Sequence, residues 1–430
     1  MEYKKSLSRR KRYLLAFALV FTIGNAALAQ QQQDTLTLSL QQTEKVFTDS
    51  NLVLLAQHYN VDAQKALVEQ AKSWQNPTLN TDWGIAANGK FIQYKKNADG
   101  SYNGQFYIQI QQLILTAKKR GKLIDIANTN TRISELQLQD VLRNLRYQLH
   151  QDYYTIQQQL ALLNIYKGQS EQLDNLLNGM KAQLDAGNIA RKDFVRIQAL
   201  VISLKQDITE LKKSLADSEN DLKTLLQIKD AHLFVKPTEH LTGEVPMPDN
   251  LESLVNGALK TNPYYLLQQW QTTYQQQNLS YQKALKTPDI TLGPNFDRNS
   301  NFAPNYVGLG VSLPLPVFNK NKGNIKSAEA NVKQQQAITQ SAETELRNNI
   351  SNAYQKLLLS IELGNGTQKA FYKDYTEIYN NMLVSYKQRQ INLLEFLDFF
   401  NDYTDSQKKL LDQQLNLQLA HEELLYHVNR

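Results

Sequence analysis

Glu395 and Asp398 stand three residues apart in a run that is otherwise apolar, with Leu393, Leu394, Phe396, Leu397, Phe399 and Phe400 around them. On a helix this spacing sets both carboxylates on one face, where they form either a cation-preferring surface or an ordinary solvated one. Asp193 and Arg196 hold the matching positions earlier in the chain, with Arg191, Lys192 and Arg389 nearby. An acid and a base there could pair with the later acids, or lie solvated at a helix tip. Catalysis has no comparable constellation. The six histidines, His58, His150, His232, His240, His421 and His427, show no H-E-x-x-H spacing, and His421 and His427, six apart, lie on different helix faces. There is no glycine-rich phosphate loop and no cysteine. No enzyme activity, cofactor or resident metal is expected.

Charge narrows the field further. The chain of 430 residues carries 47 Lys and Arg against 41 Asp and Glu, but residues 1–29 hold six of the bases and one of the acids, which leaves 41 against 40. A nearly neutral body gives no footprint for nucleic acid. The leader itself has a cationic start, an apolar run from Leu14 to Ile23 and Ala27-Leu28-Ala29, the form of a secretory signal peptide cleaved before Gln30. Export without cysteine means no disulfides, and no thiol to carry a lipid anchor. The remainder has no apolar run near 18 residues, so membrane insertion, if any, must use strands.

The elements that must position these residues are mostly long helices. From Ala117 to about Asp185 apolar residues recur every three or four positions without a proline, a stretch of about 70 residues and about 100 Å. Gln and Asn fill the faces between the stripes, as in Gln157-Gln158-Gln159, which suits a helix wall meeting other helices on two sides and water on a third. Two segments alternate with period two instead: Leu79, Thr81, Trp83, Ile85 and Ala87 with Phe106, Ile108 and Ile110, and Ile290 and Leu292 with Val307, Leu309, Val311 and Leu313. Each reads as a hairpin of strands of about ten residues, long enough to cross a tilted bilayer path. Trp83, Tyr94, Phe106, Tyr107 and Tyr306 near the strand ends suit an aromatic girdle.

The plan is duplicated. An offset of 202 carries Gly121 to Gly323, Ile189 to Ile391 and Phe194 to Phe396. The expected organisation is a signal peptide at 1–29 and a first repeat at 30–234, comprising a helix, a hairpin at about 78–114 and helices at about 117–186 and 189–228. A linker at 235–250 leads to a second repeat at 251–430, comprising a helix, a hairpin at about 289–314 and helices at about 322–388 and 391–428. Four strands per chain cannot close a barrel, and open edges in hydrocarbon leave backbone groups unpaired at several kcal/mol each. Three copies would supply twelve strands. The expected class is therefore α+β, a long α-helical barrel continuous with a transmembrane β-barrel.

The signal peptide, the duplicated plan, the Asn76-Pro77-Thr78-Leu79 lead-in and the turns Ala186-Gly187-Asn188-Ile189 and Arg389-Gln390-Ile391-Asn392-Leu393-Leu394 together resemble the TolC-like outer-membrane efflux proteins. The stretch Leu313-Pro314-Leu315-Pro316-Val317-Phe318-Asn319-Lys320-Asn321-Lys322-Gly323-Asn324-Ile325 is similar to the branch serving cobalt-zinc-cadmium and copper-silver efflux. The resemblance implies a homotrimer in the outer membrane of a Gram-negative bacterium, with a periplasmic helical tunnel. It implies partners as well: a periplasmic adaptor (membrane fusion) protein and an inner-membrane pump of the resistance-nodulation-division type. Glu395 and Asp398 would ring the tunnel mouth, six carboxylates in three copies, with Asp193 and Arg196 beside them. Gly187, Asn188, Ile189, Gln390, Ile391 and Asn392 would dock the adaptor. Many members of that branch carry an acylated N-terminal cysteine, which this chain lacks. A passive duct for heavy-metal cations is expected. Alternatives are a duct for drugs or type I protein secretion and, from another class, a periplasmic coiled-coil adaptor or structural protein, which the two hairpins count against.

Overall fold

The computed structural model describes residues 34–430 apart from 231, 365, 366 and the side chains of 367–370. The signal-peptide expectation lies outside the described residues. The described chain is mostly helical with some strands, and it divides into two units. One contains the chain up to Ser50 with Thr155–His240; the other contains Asn51–Tyr154 with Leu241–Arg430.

In the first unit, strand β1 (Thr35–Leu38) pairs in parallel with a short strand far along the chain, Phe234–Pro237. Helix α1 (Leu40–Ser50) begins in a reciprocal capping box: Gln42 N–H donates to Ser39 Oγ at 3.2 Å, and Ser39 N–H donates to Gln42 Oε1 at 2.9 Å. It packs against α4 (Arg191–Leu226), whose stripe Ile197, Val201, Leu204, Leu215, Leu222 and Leu226 is buried. The far half of α3 (Lys119–Asp185) buries Ile156, Leu162, Leu163, Tyr166, Leu173 and Leu176 in the same unit.

In the second unit the lead-in helix α2 (Leu52–Lys72) is capped by Asn51, whose Oδ1 accepts from Val53 and Leu54 N–H. With α1 it makes a pair split at Asn51, and the second repeat opens with a like pair, α5 (Leu251–Thr261) and α6 (Pro263–Ala284), divided at Asn262, whose Oδ1 accepts from Tyr265 N–H, with Pro263 opening the new helix. Each repeat thus starts with two helices, not one, because an Asn cap interrupts the run. Leu254, Val255, Ala258 and Tyr265 pack with Leu346, Ile350 and Leu357 of α7 (Lys322–Leu363) and Leu417, Leu424 and Val428 of α9 (Leu393–Val428). The helix expected at 322–388 is two, α7 and α8 (Thr367–Lys387), with Gly364 ending the first.

Four strands form one antiparallel sheet: β2 (Thr78–Trp83), β5 (Phe106–Ile114), β7 (Ile290–Asn299) and β8 (Pro304–Ser312), hydrogen-bonded in that order. The register pairs Leu79 with Ile110, Ile108 with Phe296 and Phe296 with Val307, so one face gathers Leu79, Trp83, Phe106, Ile108, Ile110, Leu292, Phe296, Val307, Leu309 and Val311. The other face gathers Asn80, Asp82, Gln109, Gln111, Asn295 and Asp297. Alternation runs across the four strands and breaks only toward the helices, where Gln112 lies on the apolar face opposite Leu292 and Leu113 on the other opposite Thr291; it is the pattern of a sheet with one apolar and one polar environment. Strand β2 stops at Trp83, short of the expected Ala87, and the loop to β5 holds its own hairpin, β3 (Ala86–Ala87) with β4 (Lys90–Phe91). Phe234–Pro237, the sixth strand β6, lies across the start of the segment expected to be a plain linker.

Candidate functional site

The polar face of the sheet is closely filled. Gln109 lies across the ladder, its Nε2 donating to Gly293 O at 3.2 Å, and Gln111 Nε2 donates to Gln109 Oε1 at 2.7 Å. A Cβ at Gly293 or Gly310 would stand 2.8 or 2.9 Å from Gln109 Nε2, so glycine on two neighbouring strands makes room for this amide layer. Gln105 Nε2 donates to Asp297 Oδ1 at 2.8 Å nearer the loops. At that same end, on the apolar face, Trp83 meets Phe106 edge-on at 5.0 Å and Phe106 neighbours Phe296 at 6.4 Å, with the Arg298 guanidinium 5.4 Å from the Phe106 ring. Such a band of rings belongs at the level of lipid headgroups.

At the opposite end the strands give way to helices through a buried ion pair. Lys119 Nζ lies 2.7 Å from Asp289 Oδ1, the lysine 3% exposed, and donates also to Thr287 O at 2.6 Å. Thr116 N–H donates to Asp289 at 2.8 Å. Burial would raise the Asp289 carboxyl, but the Lys119 ammonium and the Thr116 N–H outweigh it and hold the group below its ordinary value. The backbone between β5 and α3 is left-handed at both Ala117 and Lys118. Nothing in the spacing of these residues marks them; the signal available was a lone acid after Pro288 and a lysine at a helix start.

The helix-to-helix turns hold the other expected site residues. Between α3 and α4, Gly187 takes φ +72°, its N–H donates to Leu184 O at 2.9 Å, and Asn188 N–H donates to Gln183 O at 2.8 Å. Between α8 and α9, Arg389 takes φ +62°, donating to Tyr386 O at 3.0 Å, and Gln390 N–H donates to Ser385 O at 2.9 Å. Both are Schellman endings, in register at the 202-residue offset. Gly187, Asn188, Gln390 and Asn392 are exposed, whereas Ile189 and Ile391 are half-buried. Asn392 caps α9, its Oδ1 accepting from Glu395 N–H at 2.9 Å; Ala190, at the matching position, makes no side-chain cap.

Glu395 and Asp398 are both exposed on the first turns of α9, on one face and away from the buried Phe396 and Phe400. Asp193, half-buried, and the exposed Arg196 share the first turns of α4 in the other unit. The aromatic seam behind the acids had no site meaning in the sequence. Tyr379 stacks on Tyr403 with centroids 4.1 Å apart and planes 10° apart, and Tyr386 stacks on Phe396 at 4.8 Å. Burial pushes the Tyr379 hydroxyl well above its ordinary value, so that ring stays neutral.

The glutamines differ from expectation. Gln157, Gln158 and Gln159 are all buried rather than water-facing. Gln157 Nε2 donates to Glu239 O at 2.9 Å and Gln159 Nε2 to Ser214 Oγ at 2.9 Å; in the second unit Gln418 Nε2 donates to Thr242 O at 2.8 Å. Gln157 and Gln418 thus hold carbonyls of the 235–250 linker, and Gln159 ties α3 to α4. His150 Nδ1 lies 2.6 Å from Glu422 Oε2, and burial lowers His421 and His427 below the ordinary imidazole value. Among the described residues no group of three or more His, Asp or Glu is placed to hold a metal, and no helix is long and apolar enough to cross a membrane.

Comparison with known proteins brings these features together. The chain is 20% identical over 401 residues to the cobalt-zinc-cadmium resistance protein CzcC of Cupriavidus metallidurans, covering 91% of this chain and 92% of that one. A membrane protein from Pseudomonas aeruginosa shares the fold with a TM-score of 0.73 at 16% identity, covering 90% of this chain and 92% of the other. CusC shares it with a TM-score of 0.71 at 16% identity, covering 91% and 92%. Residues 47–226 and 254–428 match the outer membrane efflux protein family in both repeats, and the chain belongs to that family.

Proposed function

We propose that this protein is the outer-membrane duct of a three-part pump that exports heavy-metal cations, working as a homotrimer with a periplasmic adaptor and an inner-membrane pump of the resistance-nodulation-division type. The observation that carries it is the sheet: four strands, one apolar face, one polar face, and free edges at β2 and β8. A sheet with that amphipathicity is stable in hydrocarbon only if further copies pair with both edges, and three copies would close twelve strands. Polar side chains would then line the lumen, and Trp83, Phe106 and Phe296 would sit at the outer headgroups. Metal as cargo rests on the likeness to a protein named for cobalt, zinc and cadmium resistance, together with the 313–325 segment. In this reading Glu395 and Asp398, with Asp193 and Arg196, line the periplasmic mouth, and the turns at Gly187–Ile189 and Gln390–Asn392 receive the adaptor.

Deletion of the gene in its own host tests the cargo. The expected outcome is sensitivity to cobalt, zinc or cadmium, restored by the wild-type chain, with drug tolerance unchanged. Sensitivity to drugs or loss of a secreted protein, with metal tolerance intact, would move the duct to another pump.

A further inference from the structure

On the helix side β5, β7 and β8 end within one residue of each other, since Ile114 pairs with Ile290 and Thr291 with Ser312, while β2 begins three residues further in, where Thr78 pairs with Gln111. Two unusual surfaces flank that level at opposite free edges. Beyond β8, the segment Leu313-Pro314-Leu315-Pro316-Val317-Phe318 exposes Leu315, Val317 and Phe318, the last at 101%. Its two prolines lack N–H donors, so it cannot extend the β8 ladder. Before β2, a pocket of about 430 Å³ is walled by Trp74, Leu113, Leu115 and Ile124, with Lys118 and Arg120 at its rim. The Arg120 guanidinium lies 4.6 Å over the Trp74 ring, which is 64% exposed. An apolar cavity of about 150 Å³ accepts a benzene ring, so this pocket has room for a phenylalanine and a neighbouring aliphatic side chain.

We propose that the tongue 313–318 of one copy seats Phe318 and Val317 in the Trp74 pocket of the next copy. The proposal rests on the three-copy reading and specifies how the copies lock below the barrel. Strand direction and the apolar face admit this occupant. β2 and β5 are antiparallel, as are β5 and β7, and β7 and β8, so β8 runs opposite to β2 and can pair antiparallel with the β2 edge of a neighbour. Keeping apolar with apolar on one face requires odd residues of β8 opposite odd residues of β2, which puts Ser312 opposite an even one. The row through Ser312 passes Thr291 and Leu113 to the level of Asn76, and a stagger of two or four residues at the seam between copies, as a tilted barrel imposes, makes that residue Thr78 or Asn80. Phe318, six residues beyond Ser312, then falls beside Lys72 or Trp74 of the neighbour, within the roughly 20 Å that six extended residues reach. The exposed rings of one edge and the apolar pocket of the other are thereby covered by the same contact, as large apolar surfaces otherwise are not.

The chain has no cysteine, so engineered thiols report alone. Two differently tagged full-length chains are co-expressed, one with Trp74→Cys and one with Phe318→Cys, and outer membranes are treated with a short bismaleimide. Cross-linked species carrying both tags are expected at least fivefold above those carrying one tag, and the same with Leu115→Cys in place of Trp74→Cys. A parallel pair, Thr78→Cys with Ser312→Cys, reports the strand edge. Edge cross-links without tongue cross-links overturn the tongue contact while leaving the three-copy barrel standing. Absence of both overturns the barrel and the contact together. Phe318→Cys captured by lipid-attached maleimide or by another protein, with no product to either pocket thiol, places the tongue elsewhere and overturns the proposal.

Discussion

The two helix-to-helix turns share a backbone and differ in nearly every side chain around it. α4 and α9 both run for 36 residues at an offset of 202, and both close on left-handed residues, Gln227 and Asn429, at the same offset. On this common frame Gly187 corresponds to Arg389, Ala190 to Asn392, Asp193 to Glu395 and Arg196 to Asp398. Behind the turns Leu177 and Val201 correspond to Tyr379 and Tyr403. The first turn uses glycine where φ is positive and leaves its helix uncapped. The second places arginine in that conformation, caps the helix with Asn392, and stacks rings along the seam. The lesson is that the same hydrogen-bonded turn geometry carries different charge and packing, with two acids and no base on the first turns of α9.

The largest effect expected lies outside both turns and sets the scale for them. Asp289→Asn leaves Lys119 buried without its carboxylate and should cost about 3 kcal/mol. Because the folded carboxyl titrates below its unfolded value of about 3.9, its contribution is present above that pH and lost as pH falls through the folded value. Acid unfolding of the solubilised protein should therefore flatten below about pH 4 in the variant; an unchanged acid limb would remove the pair from the ledger.

Next comes the seam. Tyr403→Ala should destabilise α8 against α9 by about 3 kcal/mol, whereas Val201→Ala should cost α3 against α4 about 1–2 kcal/mol. Hydrogen exchange resolved by segment measures both, and equal losses would erase the contrast in stiffness. Smaller again, Asn392→Ala should cost about 1 kcal/mol and Ala190→Asn should add a similar amount, read as protection of the first turn of each helix. Smallest, Arg389→Gly should stabilise its turn by about 0.5–1 kcal/mol by relieving the left-handed backbone, while Gly187→Ala should cost about as much. If Arg389→Gly destabilises instead, contacts of the arginine outweigh its strain.

Periodicity made the long helices and the alternating strands legible, and the 202-residue offset exposed the matched turns. Proline and asparagine cut points were less visible: an Asn such as Asn262 inside an apolar period reads as helix until its carbonyl is seen capping the next one. The pairing of Thr35–Leu38 with Phe234–Pro237 joins segments about two hundred residues apart, and four-residue strands carry too little pattern to be found. Glu395 and Asp398 stood out because carboxylates interrupt an apolar run. Lys119 and Asp289 did not, since their meaning arises only when β5 and β7 become neighbours.

The most direct measurement is conductance of the purified protein in planar bilayers, with multivalent cations added from the periplasmic side. Discrete cation-preferring channels are expected, blocked by those cations, with Glu395→Ala and Asp398→Ala together raising conductance and weakening the block. Absence of channels from inserted protein would contradict the duct. Channels whose conductance, cation preference and block are unchanged in the double variant would contradict the acidic mouth.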